Sequence, residues 1–318
     1  MPAIITHHLF GEEAARRLPG EPSYDGEELL AFLLGNQGPN PYCFCFTATP
    51  ATIQTAHRLS ELMHADKEAE ALLLARDAVS HLPVGDQAVG HAFVLGLLAH
   101  YLLDSEAHAF IVAQERAICD ADAELEGAHD QVHALIESEL DTWTLWSARH
   151  QTIADAPAQA NLARTERIGR VAGTILSQVA WQAFGLTISP DRYEGCLRDC
   201  ELIYRAIDPT GNPYGRMIAG AERLGARYSL LDALSHAAAP TEDCPAANLD
   251  CHPWHDPLTG EGRAASFADV LHDALGRWPA LAEAFTRGEQ EALRGLMRRG
   301  YDGTPLEPTP QEADEGVR

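Results

Sequence analysis

The sequence predicts an all-α protein: a single multi-helix domain over residues 1–300, followed by an acidic, Pro-rich tail over 301–318. Three observations carry this. Apolar residues recur at i, i+3 and i+4 in most segments, no period-two alternation persists, and Gly/Pro clusters punctuate the chain at helix-length intervals. With 318 residues, 46% hydrophobic and 22% charged, the chain is of ordinary globular composition and long enough to bury a core without disulfides.

The elements follow in order. Gly11–Leu18 has helical spacing and stops at Pro19-Gly20; Asp25–Leu34 is a short apolar helix ending at Gly35. The stretch GNQGPNPYCFCF is turn chemistry and places Asn40 in a tight loop. Pro50–Asp77 reads as a helix with room for one break, and His64 sits toward the end of its first part. Val89–Glu115 is apolar nearly all round and is therefore expected in the core. Helices are expected over Asp120–His150, Ala160–Phe184, Asp191–Ile207 and Gly215–Ala237. Residues 238–265, rich in Pro, Asp and Gly, form a long loop, and a last helix starts at Ser266 with a Ser266/Asp269 capping pair and runs to about Arg299. The acidic tail that follows is expected to be disordered.

Charge restricts the function classes. Forty-seven acidic residues against 23 basic ones give a formal charge of −24, which repels nucleic-acid duplexes and anionic lipid surfaces at long range. A phosphate-bearing substrate would need a local cation to receive it. The start MPAIITHHLF lacks the pattern of a signal peptide, and the longest apolar run, Ala92–Leu103, is twelve residues and contains His100, too short for a transmembrane segment. Seven cysteines without paired C-x-x-C spacing are expected as free thiols in a cytoplasmic protein.

Histidine is the outlier, with ten of the 15 in the first 133 residues. His100, Asp104 and His108 repeat at i, i+4, i+8, and so do His129, His133 and Glu137, with Asp141 one turn later. Residues four apart share a helix face, so each stripe offers nitrogen and carboxylate ligands to one cation. The first stripe lies in the apolar segment AFVLGLLAHYLLDSEAHAFIV, where unpartnered His and Asp would cost several kcal/mol. The plainer reading of either stripe alone is a satisfied His–carboxylate pair or a solvated helix face. Both together, with His7, Asn40 and His64 upstream, point to metal.

Thr6-His7, Leu34–Asn40 (LGNQGPN), Met63-His64, His100–His108 (HYLLDSEAH) and His133–Asp141 (HALIESELD), in that order, resemble the bacterial zinc-dependent phospholipase C family, related in fold to S1/P1-type nucleases. The likeness covers roughly the first 145 residues, with a weaker echo at Asn248–Pro257 and Ser266-Phe267. It implies an all-helical fold around a cluster of two or three zinc ions. One would take His64, His100, Asp104 and residue Asn40. A second would share Asp104 and use His7 with the chain's N-terminal amine, exposed at Pro2 by removal of Met1. A third would use His108, His133 and Glu137. The resemblance puts the catalytic positions at Asn40 and Asp104. It implies hydrolysis of a small phosphoester or phospholipid head group, with diacylglycerol and a phosphorylated head group as a phospholipase C's products.

The chain departs from that pattern at one position. The family's loop ends in Gly-Pro-Asp, whereas this one ends in Gly-Pro-Asn at Asn40. An amide can offer its oxygen to a metal but cannot accept a proton near neutral pH. A non-catalytic zinc-binding relative that holds a phosphate ligand or a partner is therefore the alternative to an enzyme. Asp141 and Glu106 are the nearest substitute bases. His8 and His57 are candidates to orient a ligand, and His252, Trp254 and His255 either close over the site or pack as an ordered loop.

Overall fold

A computed structural model of the chain describes residues 4–19, 24–65, 67–210 and 228–306. The helices are α1 (Ile4–Arg16), α2 (Gly26–Gly35), α3 (Pro50–Ala65), α4 (Glu68–Ser80), α5 (Gln87–Ala121), α6 (His129–Arg149), α7 (Glu166–Phe184), α8 (Asp191–Ile207), α9 (Leu230–Ala233), α10 (Phe267–Arg287) and α11 (Gln290–Leu296). Two-residue strands β1 (Trp254–His255) and β2 (Gly262–Arg263) pair antiparallel. The all-α expectation therefore holds for the described residues, with one minimal hairpin added.

The axis of the fold is α5, 35 residues long and buried along most of its length. The segment Val84–Ala121 is long and apolar enough to cross a membrane, but 83% of its most apolar window is inside the fold, so it is the core helix of this packing. Helices α1, α2, α4, α6, α7 and α10 all pack on α5. α2 comes closest, because Gly35 and Gly96 remove the side chains between two backbones. A Cβ on Gly96 would lie 2.1 Å from the Phe32 carbonyl oxygen and 2.9 Å from the Asn36 nitrogen.

Several boundaries differ from the sequence expectation, for local reasons. α1 begins at Ile4, seven residues before the expected Gly11, so His7 is helical. Lys67 adopts a left-handed φ of 56° and separates α3 from α4, supplying the break within Pro50–Asp77. The expected Asp120–His150 helix is two elements: α5 ends at Ala121, and a turn with Gly127 at φ +81° precedes α6. α7 starts at Glu166 rather than Ala160, because Thr165 caps it by accepting from the Ile168 N–H. Most of Gly215–Ala237 lies outside the described residues; its described part contains only the short α9. The Ser266/Asp269 capping box is formed, but its helix ends at Gly288 (φ +72°), and α11 is separate.

The boundary at 301 also moves. Residues 298–306 fold back on themselves. Leu306 N–H donates to the Arg298 carbonyl, Gly300 N–H to the Thr304 carbonyl, and Tyr301 is buried. Residues 307–318 lie outside the described residues. In the 238–265 segment, Trp254 is buried edge-on against Phe110 and donates its indole N–H to the Ala265 carbonyl, so this is an ordered loop packed on the helices.

Gly96→Ala should test the α2–α5 approach. The neighbouring atoms are backbone and cannot swing aside, so a loss of about 1–3 kcal/mol or more is expected in urea unfolding with an unchanged m value.

Candidate metal centre

Three separate elements converge on Asp104 of α5. His7 from α1 places Nε2 3.0 Å from Asp104 Oδ1. His100, one turn back on α5, places Nε2 3.3 Å from Oδ2. His64 from the end of α3 places Nε2 3.9 Å from Oδ2. His7, His100 and Asp104 each offer a ligand atom within 4.8 Å of the others, a set that could hold a metal ion. His7 and His100 are buried, whereas the Asp104 and His64 side chains are 27% and 25% exposed, so the group opens to solvent on one side.

The backbone decides which nitrogens are free. A carbonyl oxygen only accepts, so His100 Nδ1, 3.2 Å from the Asn36 carbonyl, carries a proton. Likewise His64 Nδ1 donates to the Ser60 carbonyl at 2.7 Å. Burial holds the His64 imidazole below its usual range and the His100 imidazole well below it, so both rings are neutral and both Nε2 atoms are bare lone pairs. His100 Nε2 is fully buried and has no hydrogen-bond partner among the described residues, although it faces a carboxylate oxygen. A lone pair against an anion is repulsive unless a cation lies between them. The 3.3 Å separation is about the edge of a tetrahedron whose bonds are 2.0–2.1 Å, as for zinc. The His100–Asp104 pair thus has the spacing of two ligands on one cation; the set that could hold an ion is His7, His100 and Asp104, with His64 beside it at 3.9 Å from Asp104.

His7 is different. Its Nδ1 lies 3.2 Å from His100 Nδ1, which already carries the proton, so His7 Nδ1 accepts and His7 Nε2–H donates to Asp104. In this tautomer His7 orients the carboxylate; to serve as a ligand itself it must move its proton to Nδ1. Burial raises the Asp104 carboxyl, but the charge that the facing His100 and His64 rings would carry at acid pH, with the His7 N–H bond to Oδ1, outweighs it and holds the carboxyl well below its usual range, so at neutral pH it is ionised.

The loop 36–40 fixes these rings. Gly38 (φ +60°) lies flat against His100, and a Cβ there would be 2.1 Å from the ring. Asn36 donates its amide N–H to the His7 carbonyl, joining the loop to α1. Ser60 Oγ donates to the Pro39 carbonyl one turn before His64. Asn40 is buried at the start of a 3₁₀ turn and makes no side-chain hydrogen bond among the described residues. The N-terminal amine and Pro2, expected at the second ion, lie outside the described residues.

One turn along α5 from Asp104, about 6 Å of rise, a second group forms. The His108 and His133 rings are 5.5 Å apart, and His133 Nε2 is 3.4 Å from Glu137 Oε1, again about a tetrahedral edge for zinc. His133 Nδ1 donates to Glu115 Oε2 at 2.9 Å, and His129 Nδ1 lies 2.7 Å from Glu115 Oε1. Burial lowers the His133 imidazole, but Glu137 and Glu115 prevail and push it up to about 9. In the absence of metal, a proton fills the place a cation would take.

The expected residues therefore come together as two neighbouring groups, His7/His64/His100/Asp104 and His108/His133/Glu137. Asp141 does not join them. Its buried carboxylate accepts from the Ile5 and Thr6 N–H groups at 3.0 and 2.7 Å and pairs with His236 at 2.9 Å. Glu106 is engaged by Arg277. Neither is a spare base. His57 faces the Cys45 carbonyl and His8 faces Glu12, so neither orients a ligand.

Three contributors are absent from the sequence reading. Glu115 was within reach, as the next member of the α5 stripe two turns beyond His108. Asn36 acts through a peptide carbonyl, which no side-chain pattern reveals. Tyr301 closes over the centre, its ring 5.2 Å from His64 and 5.6 Å from His100, from a segment whose composition reads as tail.

Comparison with protein-family models, with curated proteins and with solved structures finds no match to the chain.

The His133 site has a pH signature. Its folded value of about 9 exceeds the usual 6.5, so its stabilising contribution is complete below pH 6.5 and is lost as pH rises through about 9. Chelator-treated protein should lose on the order of 2–3 kcal/mol between pH 6.5 and 9.5, and Glu115→Gln should flatten that slope. Urea midpoints measured across this range check it.

Proposed function

We propose that the protein is a zinc-dependent phosphoester hydrolase resembling bacterial phospholipase C, acting on a small phosphodiester or a phospholipid head group. The observation that carries this reading is the buried, partnerless Nε2 of His100 aimed at the Asp104 carboxylate, beside a second His/carboxylate group one turn along the same helix. His64, His100 and Asp104 would hold one ion, and His108, His133 and Glu137 another, with His7 and Asn40 beside the first. Two or three bound zinc ions would supply a nucleophilic water at neutral pH and polarise phosphoryl oxygens.

The chain's own residues prepare that chemistry. The Asn36 and Ser60 carbonyls lock the His100 and His64 tautomers, so no proton need leave either ring when a cation arrives. Glu115 holds the His133 ring from its Nδ1 side. Asp104 stays ionised at the open side, where substrate would enter. The −24 charge argues against nucleic-acid duplexes as substrates. Seven free cysteines fit a reducing compartment, and we place the protein in the cytoplasm.

A second reading rests on Asn40. Its amide cannot act as a base, and Asp141 and Glu106 are occupied elsewhere. A zinc-binding protein that holds a phosphate ligand or a partner without hydrolysing it follows from the same geometry.

The two readings separate experimentally. Protein purified without added metal should carry two or three zinc ions by mass spectrometry, and His100→Ala should lose at least one. Wild type should hydrolyse bis-p-nitrophenyl phosphate slowly. Asn40→Asp should be faster by about 10²–10⁴-fold, the usual worth of general-base help. Zinc without turnover in either protein selects the binding reading; absence of zinc overturns both.

A further inference from the structure

Beside the 298–306 turn lies a cleft of about 570 Å³. It is lined by three arginines, Arg277 of α10 and Arg298 and Arg299 from the segment after α11, together with Glu106, His272 and Asp273. In a chain with only 23 basic residues against 47 acidic ones, three guanidinium groups gathered against Glu106, Asp256 and Asp273 make this cleft locally near-neutral rather than acidic.

Two of these arginines are held by the fold. Arg277 pairs with Glu106 of α5 and donates to the Leu296 carbonyl at 2.7 Å. Arg299 donates to the buried Asp256 at 2.7 Å and to the Gly303 carbonyl at 3.2 Å. These contacts occupy some N–H groups of each fork and set the planes of both, leaving the other N–H groups to the cleft. Arg298 is exposed and makes no ion pair among the described residues. Like charge from Arg298 and Arg299, added to burial, pushes the Arg277 guanidinium below its usual range, so the three cations sense one another.

We infer that this cleft binds a small phosphate-bearing anion. Guanidinium forks pair with tetrahedral oxyanions through parallel N–H···O bonds, and preorganised forks lose little entropy in doing so. The volume exceeds that of a bare phosphate and lies in the range of small-molecule sites, so a phosphomonoester with an organic group fits. Glu106 engages Arg277 and Asp256 engages Arg299, whereas Arg298 makes no ion pair among the described residues and is the guanidinium left to an incoming anion. The inference is independent of hydrolysis at the metal centre.

Isothermal titration calorimetry of the full-length protein with inorganic phosphate, then with glycerol phosphate, tests it. Both should bind in the high-micromolar to low-millimolar range, with the monoester tighter if the organic group is recognised. Arg298→Ala should weaken binding at least about fivefold, and Arg298→Glu should abolish it, since opposite charge in a site reverses its electrostatic term. Arg298 is exposed, so these variants are expected to fold; Arg277→Lys, which keeps the charge but removes the fork, should weaken binding severalfold. Asp104→Asn should leave the Arg298-dependent part of the binding unchanged, whatever it does to a phosphate held at the metal centre. No binding by wild type up to about 20 mM, an affinity weaker than about −2.3 kcal/mol, overturns the inference. So does binding that survives Arg298→Glu but is lost in Asp104→Asn, which would assign the anion to the metal centre.

Discussion

The buried carboxylate of Asp141 is the contact on which the site depends. It is fully excluded from solvent, and it receives two backbone N–H groups from the first turn of α1 and the Nε2 of His236. A helix N-terminus leaves unpaired donors and a partial positive charge, and an anion placed there satisfies both. Here the anion comes from α6, so one side chain caps α1, bonds it to α6 and attaches the segment after α9. Asn36 completes the fixation of α1 from the other side by donating to the His7 carbonyl. The position of His7 relative to Asp104 is therefore set by α6 and by the loop after α2, neither of which supplies a donor atom to that group.

Much of this arrangement can be read from residue order. The α8 boundaries, Asp191–Ile207, follow directly from its periodicity, because the helix is strongly amphipathic. The i, i+4, i+8 stripe of α5 is legible because the helix repeat alone brings His100, Asp104 and His108 to one face. What sequence cannot display is closure between distant segments. α1 starts early because its cap lies some 135 residues away. The last helix breaks where Gly288 takes a left-handed conformation, and the 298–306 turn packs because Tyr301 finds an aromatic wall of His64, His100 and Tyr101. None of these partners is local, so no window of sequence contains the signal.

The protein also shows how imidazoles and carboxylates are kept inside an apolar core. His64, His100 and His133 are each met by a carbonyl or a carboxylate at Nδ1, leaving Nε2 directed at the group. That pattern limits the number of unpaired polar atoms, whose burial is costly. It also explains why the core helix tolerates His100 amid Leu97, Leu98, Leu102 and Leu103: the ring is enclosed by Gly38 on one face and by the Asn36 carbonyl at its edge.

The ends of the described chain meet at one place. His7 comes from the first helix and Tyr301 from the last turn, and both lie against His100. During synthesis the first helix is released long before the turn that roofs it, so the centre stays open until residue 301 has emerged. Contacts between such distant residues form late in folding, after the entropy of closing the intervening chain has been overcome. A chain cut short before residue 301 would contain every histidine and carboxylate of both groups and still lack the ring that shields them. Closure of the centre is thus timed by the emergence of the 298–306 turn.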